Sequence, residues 1–387
     1  MTYAGKKVQQ ARKLSGLTQK ELASASGVSL STIRNLEQGD RRDARMETLH
    51  KIAKALRLPT MALVAEPREE SASSDIRDLW APVRAELMRP PSREGGDAAT
   101  PQGVAKIFEG AAALYRDHHF AELAALLPPL LRDADTLDAE GRGMRVRVLQ
   151  LAAGALTHTR QFDTAELVVR RSLADSQDRL EASASINTLS WLLIRQGQLD
   201  EAQALATQWA DDLEPRISRA TASELSAWGL LLLRASGAAV RNNQPEAAAD
   251  MKRLARSAAT AIGREVQVGH ETVRTFGPTT VRMLSVEDAV VHEQPDRALR
   301  LAERMPWFVV RPSSSVRGRH GLDVAMSHAL LGQYTEAFGK LSEVQAASPE
   351  WFPNQMPARD TLRKIVKGRR TLTPEMRLMA DTLQLRL

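Results

Sequence analysis

Cysteine is absent from all 387 residues, which excludes disulfides, thiolate nucleophiles and cysteine-ligated zinc together. Aromatic side chains make up only 4%. No run approaches the roughly eighteen apolar residues of a membrane-spanning helix. The opening stretch MTYAGKKVQQARKL turns polar and basic at once and lacks the apolar core of a secretory signal. A cytoplasmic location without membrane association is therefore expected. Alternating Val/Ile/Thr runs bounded by Asn-Gly or Asp-Gly turns are also missing. Long stretches of Ala, Leu, Arg and Glu remain, and these side chains lose little freedom on a helix. The expected fold class is all-α.

Catalytic patterns are equally scarce. The eight histidines are scattered: His50, His118, His119, His158, His270, His292, His320 and His328. His292-Glu293 has no second histidine four residues on, so no HExxH zinc motif forms, and phosphate-binding and nucleophile-elbow glycine patterns are absent. Gly318-Arg319-His320-Gly321 reads as a helix-start loop, and Phe276-Gly277-Pro278-Thr279 as a turn with a threonine cap. No enzyme activity, metal site or cofactor is expected.

Charge is unevenly placed. The chain carries a net +6, yet residues 1–64 hold twelve Lys/Arg against five Asp/Glu, a net +7. The remainder is close to neutral. A polyanion partner for the N-terminal segment follows, since neutralising phosphates supplies much of the affinity for nucleic acid.

That segment has the punctuation of short helices joined by tight turns. Val8, Ala11 and Leu14 share a helical face that stops at Ser15-Gly16. Thr18-Gln19-Lys20-Glu21 has the form of a capping box. Gly27 suits the left-handed turn between two crossing helices, and Ser29 an N-cap for a helix from Leu30 to Gln38. Leu49, Ile52, Ala53 and Leu56 give a fourth helix its apolar stripe.

The stretch LTQKELASASGVSLSTIRNLEQG resembles the Cro/C1 (XRE) family of helix-turn-helix domains, through Gln19, Ala23, Gly27, Ser29, Ile33, Leu36-Glu37 and Gly39 at the family's spacing. The resemblance spans about residues 4–64 and implies a lambda-repressor-like fold whose Leu30–Gln38 helix enters the major groove of double-stranded DNA. It implies base-edge contacts from Ser29, Leu30, Ser31, Arg34 and Asn35, and a phosphate contact where Gln19 opens the second helix. Leu30 replaces a polar reader and offers only apolar contact, such as with a thymine methyl. Arg41, Arg42 and Arg45 suit phosphates, in a loop lacking the family's proline. Arg12 and Glu37 match a structural ion pair. A homodimer on a two-fold symmetric operator is expected, because one such domain reads few base pairs.

Residues 66–103 have linker composition with one amphipathic island, Ile76 to Leu87, whose Ile76, Leu79, Trp80, Val83 and Leu87 predict a helix docked on its neighbour or used for dimerisation. From residue 104 a six-residue unit recurs, clearest as Gly197-Gln198-Leu199-Asp200-Glu201-Ala202 and Gly332-Gln333-Tyr334-Thr335-Glu336-Ala337. Its sixth position falls at Leu123, Ala165, Ala202, Ala248, Ala298 and Ala337, in steps of 37 to 50 residues. This resembles tetratricopeptide repeats with lengthened loops or helices, which implies a right-handed superhelix of helical hairpins with a concave binding face. The expected organisation is a DNA-binding domain (1–65), linker (66–103), repeats (104–348) and capping helices (349–387).

A Cro/C1-type domain joined to such repeats is similar to peptide-pheromone receptors of Gram-positive bacteria and related actinobacterial regulators. That resemblance implies a transcription regulator used in quorum sensing, with a short peptide as effector. Aligning Ala202 with the repeat's packing alanine puts Asn187, Trp191 and Arg195 at i, i+4 and i+8 on a groove-facing helix. Arg147 and Gln150 fall on the neighbouring surface, with His158 beside them. An amide for a peptide backbone, an indole platform and a guanidinium for a carboxylate make these candidate ligand contacts. The other readings are a DNA-anchored interaction scaffold and an antitoxin-like partner-binding protein; Trp191 as inter-repeat core and Arg195 as a solvated helix end remain open.

Overall fold

The computed structural model describes residues 3–15, 17–38, 46–56, 58, 63, 74–89, 99–267, 273–305, 310–369 and 371–385. These residues form an all-α protein whose one β feature is an isolated bridge between Val266 and Phe276. Among them no helix is long and apolar enough to cross a membrane.

Among the described residues the N-terminal domain has helices α1 (Tyr3–Leu14), α2 (Gln19–Ser26), α3 (Leu30–Gln38) and α4 (Met46–Ala55), and Leu63 is helical as well. The expected caps are present. Thr18 Oγ1 accepts from the Glu21 amide at 3.2 Å while the Thr18 amide donates to Glu21 Oε2 at 2.7 Å, and Gly27 takes φ +65°. Val8, Leu22, Ile33, Leu36, Leu49, Ile52, Ala53, Leu56 and Leu63 form one core, which presses α3 against α1 and α2 and leaves its opposite face outward.

Helix α5 (Ser74–Leu87) docks on the helical array. Trp80, Val83 and Leu87 are buried in the array's core, whereas Leu79, expected on the same apolar face, is exposed. Glu86 ties the helix down by accepting from Arg132 Nη2 at 2.6 Å and Nε at 3.2 Å.

The array consists of six hairpins: α6 (Pro101–Arg116) with α7 (Phe120–Thr136), α8 (Arg142–His158) with α9 (Phe162–Asp175), α10 (Arg179–Gln196) with α11 (Leu199–Asp212), α12 (Ala222–Arg241) with α13 (Pro245–Ile262), α14 (Pro278–Val291) with α15 (Pro295–Glu303), and α16 (Ser314–Leu330) with α17 (Tyr334–Ala347). A 3-10 turn (Phe352–Asn354) then leads to α18 (Met356–Gly368) and α19 (Pro374–Thr382). The six-residue unit sits at the turn of each hairpin. Its first residue is left-handed every time: His118, Arg160, Gly197, Asn243, Glu293 and Gly332. Its sixth is buried every time, from Leu123 to Ala337, because the helices of the pair meet there.

A side chain in that left-handed position costs about 1–2 kcal/mol. Glu293 is exposed at the turn. Glu293→Gly is expected to raise stability by up to about 1 kcal/mol, after the added glycine entropy is charged against the relieved strain. Its urea midpoint should rise; a lowered one would show that Glu293 is not strained.

Two local readings need correction. Gly318 to Gly321 lie inside α16 rather than in a loop before it. The missing side chains admit neighbours: a Cβ at Gly318 would lie 2.9 Å from the Trp351 ring, and one at Gly321 2.5 Å from Val344. At the start of α14 no threonine caps the helix. The buried Glu265 does so instead, its Oε2 accepting from the Thr279 amide at 3.1 Å and the Thr280 amide at 3.3 Å.

The array's two ends meet. One continuous apolar core joins α5 to α10 with α16 to α19, and the Ala121 amide donates to Glu350 Oε2 at 2.7 Å across 229 residues of chain.

Candidate nucleic-acid interface and repeat lining

Helix α3 is two-sided. Ile33, Leu36 and Glu37 are buried, while Ser31 and Arg34, three residues apart on one face, are exposed. Leu30 and Asn35 are half-buried at the edges of that face. Ser29 caps the helix: its Oγ accepts from the Thr32 amide at 3.1 Å and lies 2.7 Å from Thr32 Oγ1 and 3.0 Å from Ser31 Oγ. Any base contact by Ser29 competes with this cap. Arg41, Arg42 and Arg45 lie outside the described residues.

Beneath that face Glu37 is a hub. Its carboxylate accepts from Arg12 Nε at 2.7 Å, Arg12 Nη2 at 2.9 Å and Gln19 Nε2 at 2.8 Å. Arg12 also donates to the Leu17 carbonyl at 2.8 Å, and the Glu37 bonds raise the guanidinium's pKa further. The Arg12–Glu37 pair expected from the sequence is thus bidentate and locks α1 to α3. The Gln19 side chain joins it.

In the array the candidate ligand residues have different surroundings. Asn187 is buried, and its Oδ1 accepts from Arg234 Nε at 2.6 Å. Trp191 is half-buried, with the His158 ring edge-on at 4.6 Å and Arg234 Cζ 5.7 Å from its centroid. Arg195 reaches the C-terminal segment, donating from Nη2 to the Asn354 carbonyl at 3.2 Å and from Nη1 to Gln355 Oε1 at 3.4 Å. Gln150 Nε2 bonds to the Glu181 carbonyl and Ser185 Oγ, both at 3.1 Å. Arg147 lies over Phe108, 4.7 Å from its centroid, with Glu109 at 3.8 Å. Trp191 and Arg195 are therefore partly exposed, with Asn187 and His158 buried beside them, while Gln150 and Arg147 turn to α10 and α6.

What sequence reasoning missed is a polar relay across the closure of the array. Trp351 Nε1 donates to His158 Nδ1 at 3.1 Å, and its ring stacks on His118 at 5.4 Å. An indole N–H can only donate, which sets the direction of the first links. His158, when neutral, therefore carries its proton on Nε2 and gives it to Ser315 Oγ at 3.1 Å; Ser315 Oγ also lies 3.1 Å from His118 Nε2, and His118 Nδ1 lies 3.0 Å from Ser348 Oγ. Both imidazoles are neutral in this arrangement. Burial pushes His118 down to about 4, helped by Arg317 and His119. Burial also holds His158 well below its ordinary value, with His118, Arg195, Arg274 and Arg234 adding to it. Nothing in the spacing of His118, His158 and Trp351 signals this meeting, because it depends on the two ends coming together.

A second buried network holds α12, α14 and α16. Arg241 and Arg319 both pair with Glu287, the latter at 2.9 Å. Arg319 Nε also meets Asp323 Oδ1 at 3.1 Å. Burial pushes the Asp323 carboxyl up, whereas the two arginines outweigh burial at Glu287 and pull it down.

Comparison with known proteins places the N-terminal domain: residues 8–63 match the helix-turn-helix family. They form a DNA-binding domain of the Cro/C1 (XRE) type, followed by packed helical hairpins. No curated protein sequence matches the chain. Among solved structures, the chain is similar to Bacillus thuringiensis PlcR in complex with the peptide PapR7 and DNA, at 13% identity, 88% coverage of this chain, 98% of that chain and a TM-score of 0.38.

Proposed function

We propose that this DNA-binding regulator recognises a two-fold symmetric operator as a homodimer, reading bases through α3, and that its helical array takes up an effector, a short peptide. The observation that carries the reading is the outward face of α3, where Ser31 and Arg34 stand exposed on a helix fixed from below by Ile33, Leu36 and Glu37. Arg34 offers a fork for a guanine edge, with Ser31, Leu30 and Asn35 beside it. Ser29 and the start of α2 at Gln19 orient the domain on phosphates, and Arg41, Arg42 and Arg45 add charge. The excess charge of +7 over residues 1–64 supplies the sequence-independent part of the affinity. Such a protein acts in the cytoplasm, where the DNA is.

The effector contacts are Asn187, Trp191 and Arg195, with Arg147 and Gln150 on the adjoining helix. A ligand shifts DNA affinity only through unequal affinity for the DNA-binding and non-binding arrangements of the protein.

The test is the double substitution Ser31→Ala, Arg34→Ala. Operator selected by genome-wide binding should bind about tenfold to a thousandfold more weakly, since each good base contact discriminates by about 1–3 kcal/mol. Salt-sensitive binding to unrelated DNA should remain. An unchanged footprint and affinity would remove α3 as the reader. A monomer in sedimentation that protects an asymmetric site would remove the dimer.

A further inference from the structure

Within the described residues Arg195 lacks the carboxylate partner that several arginines of the array have. Arg319 is neutralised by Glu287 and Asp323, Arg145 meets Asp175 at 2.9 Å, and Arg171 pairs with Asp135. Arg195 sits half-buried in the last turn of α10, and both Nη atoms donate to neutral oxygens, the Asn354 carbonyl at 3.2 Å and Gln355 Oε1 at 3.4 Å. Those distances are long for a guanidinium, whose bonds to a carboxylate run at about 2.7–2.9 Å. Among the described residues no carboxylate pairs with it. Burial, together with the charges of Arg160 and Arg319, lowers its pKa to about 9. Arg160 and Arg195 both lie near the Phe162 ring, 5.4 and 6.0 Å from its centroid, and Trp191 is one turn back along α10.

A cation drawn out of water among like charges is held at a cost that an arriving anion recovers. We propose that Arg195 is the anion-binding centre of the effector site and that its ligand carries a free carboxylate, which takes both Nη hydrogen bonds in place of the Asn354 and Gln355 oxygens. The inference rests on the reading of the array as an effector domain and names the chemistry of that effector. A planar fork matches a carboxylate's two oxygens, and two carbonyl oxygens from the chain already stand where those would lie. Trp191 and Phe162 provide apolar surface for the body of the ligand. Since Asn354 and Gln355 continue directly from Trp351, a carboxylate at Arg195 competes with the segment that closes the array.

Calorimetric titration of the full-length protein tests this, at ionic strength matched with chloride. The probes are glutarate, inorganic phosphate, a hexapeptide pool with free C termini and the same pool amidated. The expected result is at least tenfold tighter binding of the free-acid pool than of the amidated pool. Arg195→Gln should erase that difference and Arg195→Lys keep part of it, so the lysine variant carries the test should the glutamine variant not fold. Arg195-dependent binding of glutarate alone would support the anion site while removing the peptide as its source. Equal binding of both pools would overturn the anion site yet leave a peptide effector standing. Binding of phosphate alone, or of no probe, would overturn the proposal.

Discussion

Glu37→Ala is expected to destabilise the DNA-binding domain by about 3–5 kcal/mol, the usual cost of leaving a buried charge without its partner. Arg12 would lose two bonds and stay enclosed, and Gln19 would lose its acceptor. A domain of about sixty residues has only a few kcal/mol to lose. Hydrogen exchange on the full-length protein should therefore show the amides of α1 to α4 losing protection while those of the array keep theirs, and operator binding should disappear with them. The double variant Arg12→Met, Glu37→Leu should recover most of the protection, since an apolar pair of similar volume replaces a buried ion pair at little cost. Full protection in Glu37→Ala with lost DNA binding would instead mean that Glu37 acts at the DNA.

The same hub shows why the DNA-binding domain was legible in the sequence and some of its contacts were not. Capping residues act on backbone a few positions away, so Thr18, Glu21, Gly27 and Ser29 announce their roles locally. The Arg12–Glu37 pair came through a family resemblance. The Gln19 side chain could not be assigned that way, because its choice between DNA and Glu37 depends on a carboxylate eighteen residues on, brought within 2.8 Å by the crossing of α2 and α3.

In the array the division is similar. The recurring unit revealed every hairpin turn, since the left-handed first residue and the buried sixth are demands that each turn makes afresh. Three features depended on longer range. Asn187 carries the spacing of a groove residue, yet Arg234 on the next hairpin engages its amide. Glu265 has no local sign of being a cap until the bridge between Val266 and Phe276 folds it over α14. The glycines of the 318–321 stretch resemble loop residues because the Trp351 ring and Val344 they accommodate lie more than twenty residues away.

The closure itself makes the protein acid-sensitive. Both relay histidines have folded-state pKa values below the ordinary value of about 6.5, so between that pH and about 4 the unfolded chain holds protons that the folded one refuses. Stability conferred by the neutral pair is complete above about pH 6.5. It declines as pH falls, by up to about 1.4 kcal/mol per pH unit for each histidine. Protonated His158 would set an N–H against the Trp351 N–H, donor against donor, which adds a geometric penalty to desolvation. Trp351→Phe removes that donor while keeping a ring against His118, so the variant should be less stable at pH 7.5 and lose less stability between pH 7 and 5. Trp351→Ala empties a fully buried site and is expected to cost about 3–5 kcal/mol. Urea titrations of the three proteins at pH 7.5, 6.5, 5.5 and 5.0, followed through amides of α7 and α18, would measure this. If wild type and Trp351→Phe decline in parallel with acid, the relay does not set the pH dependence, and burial alone accounts for it.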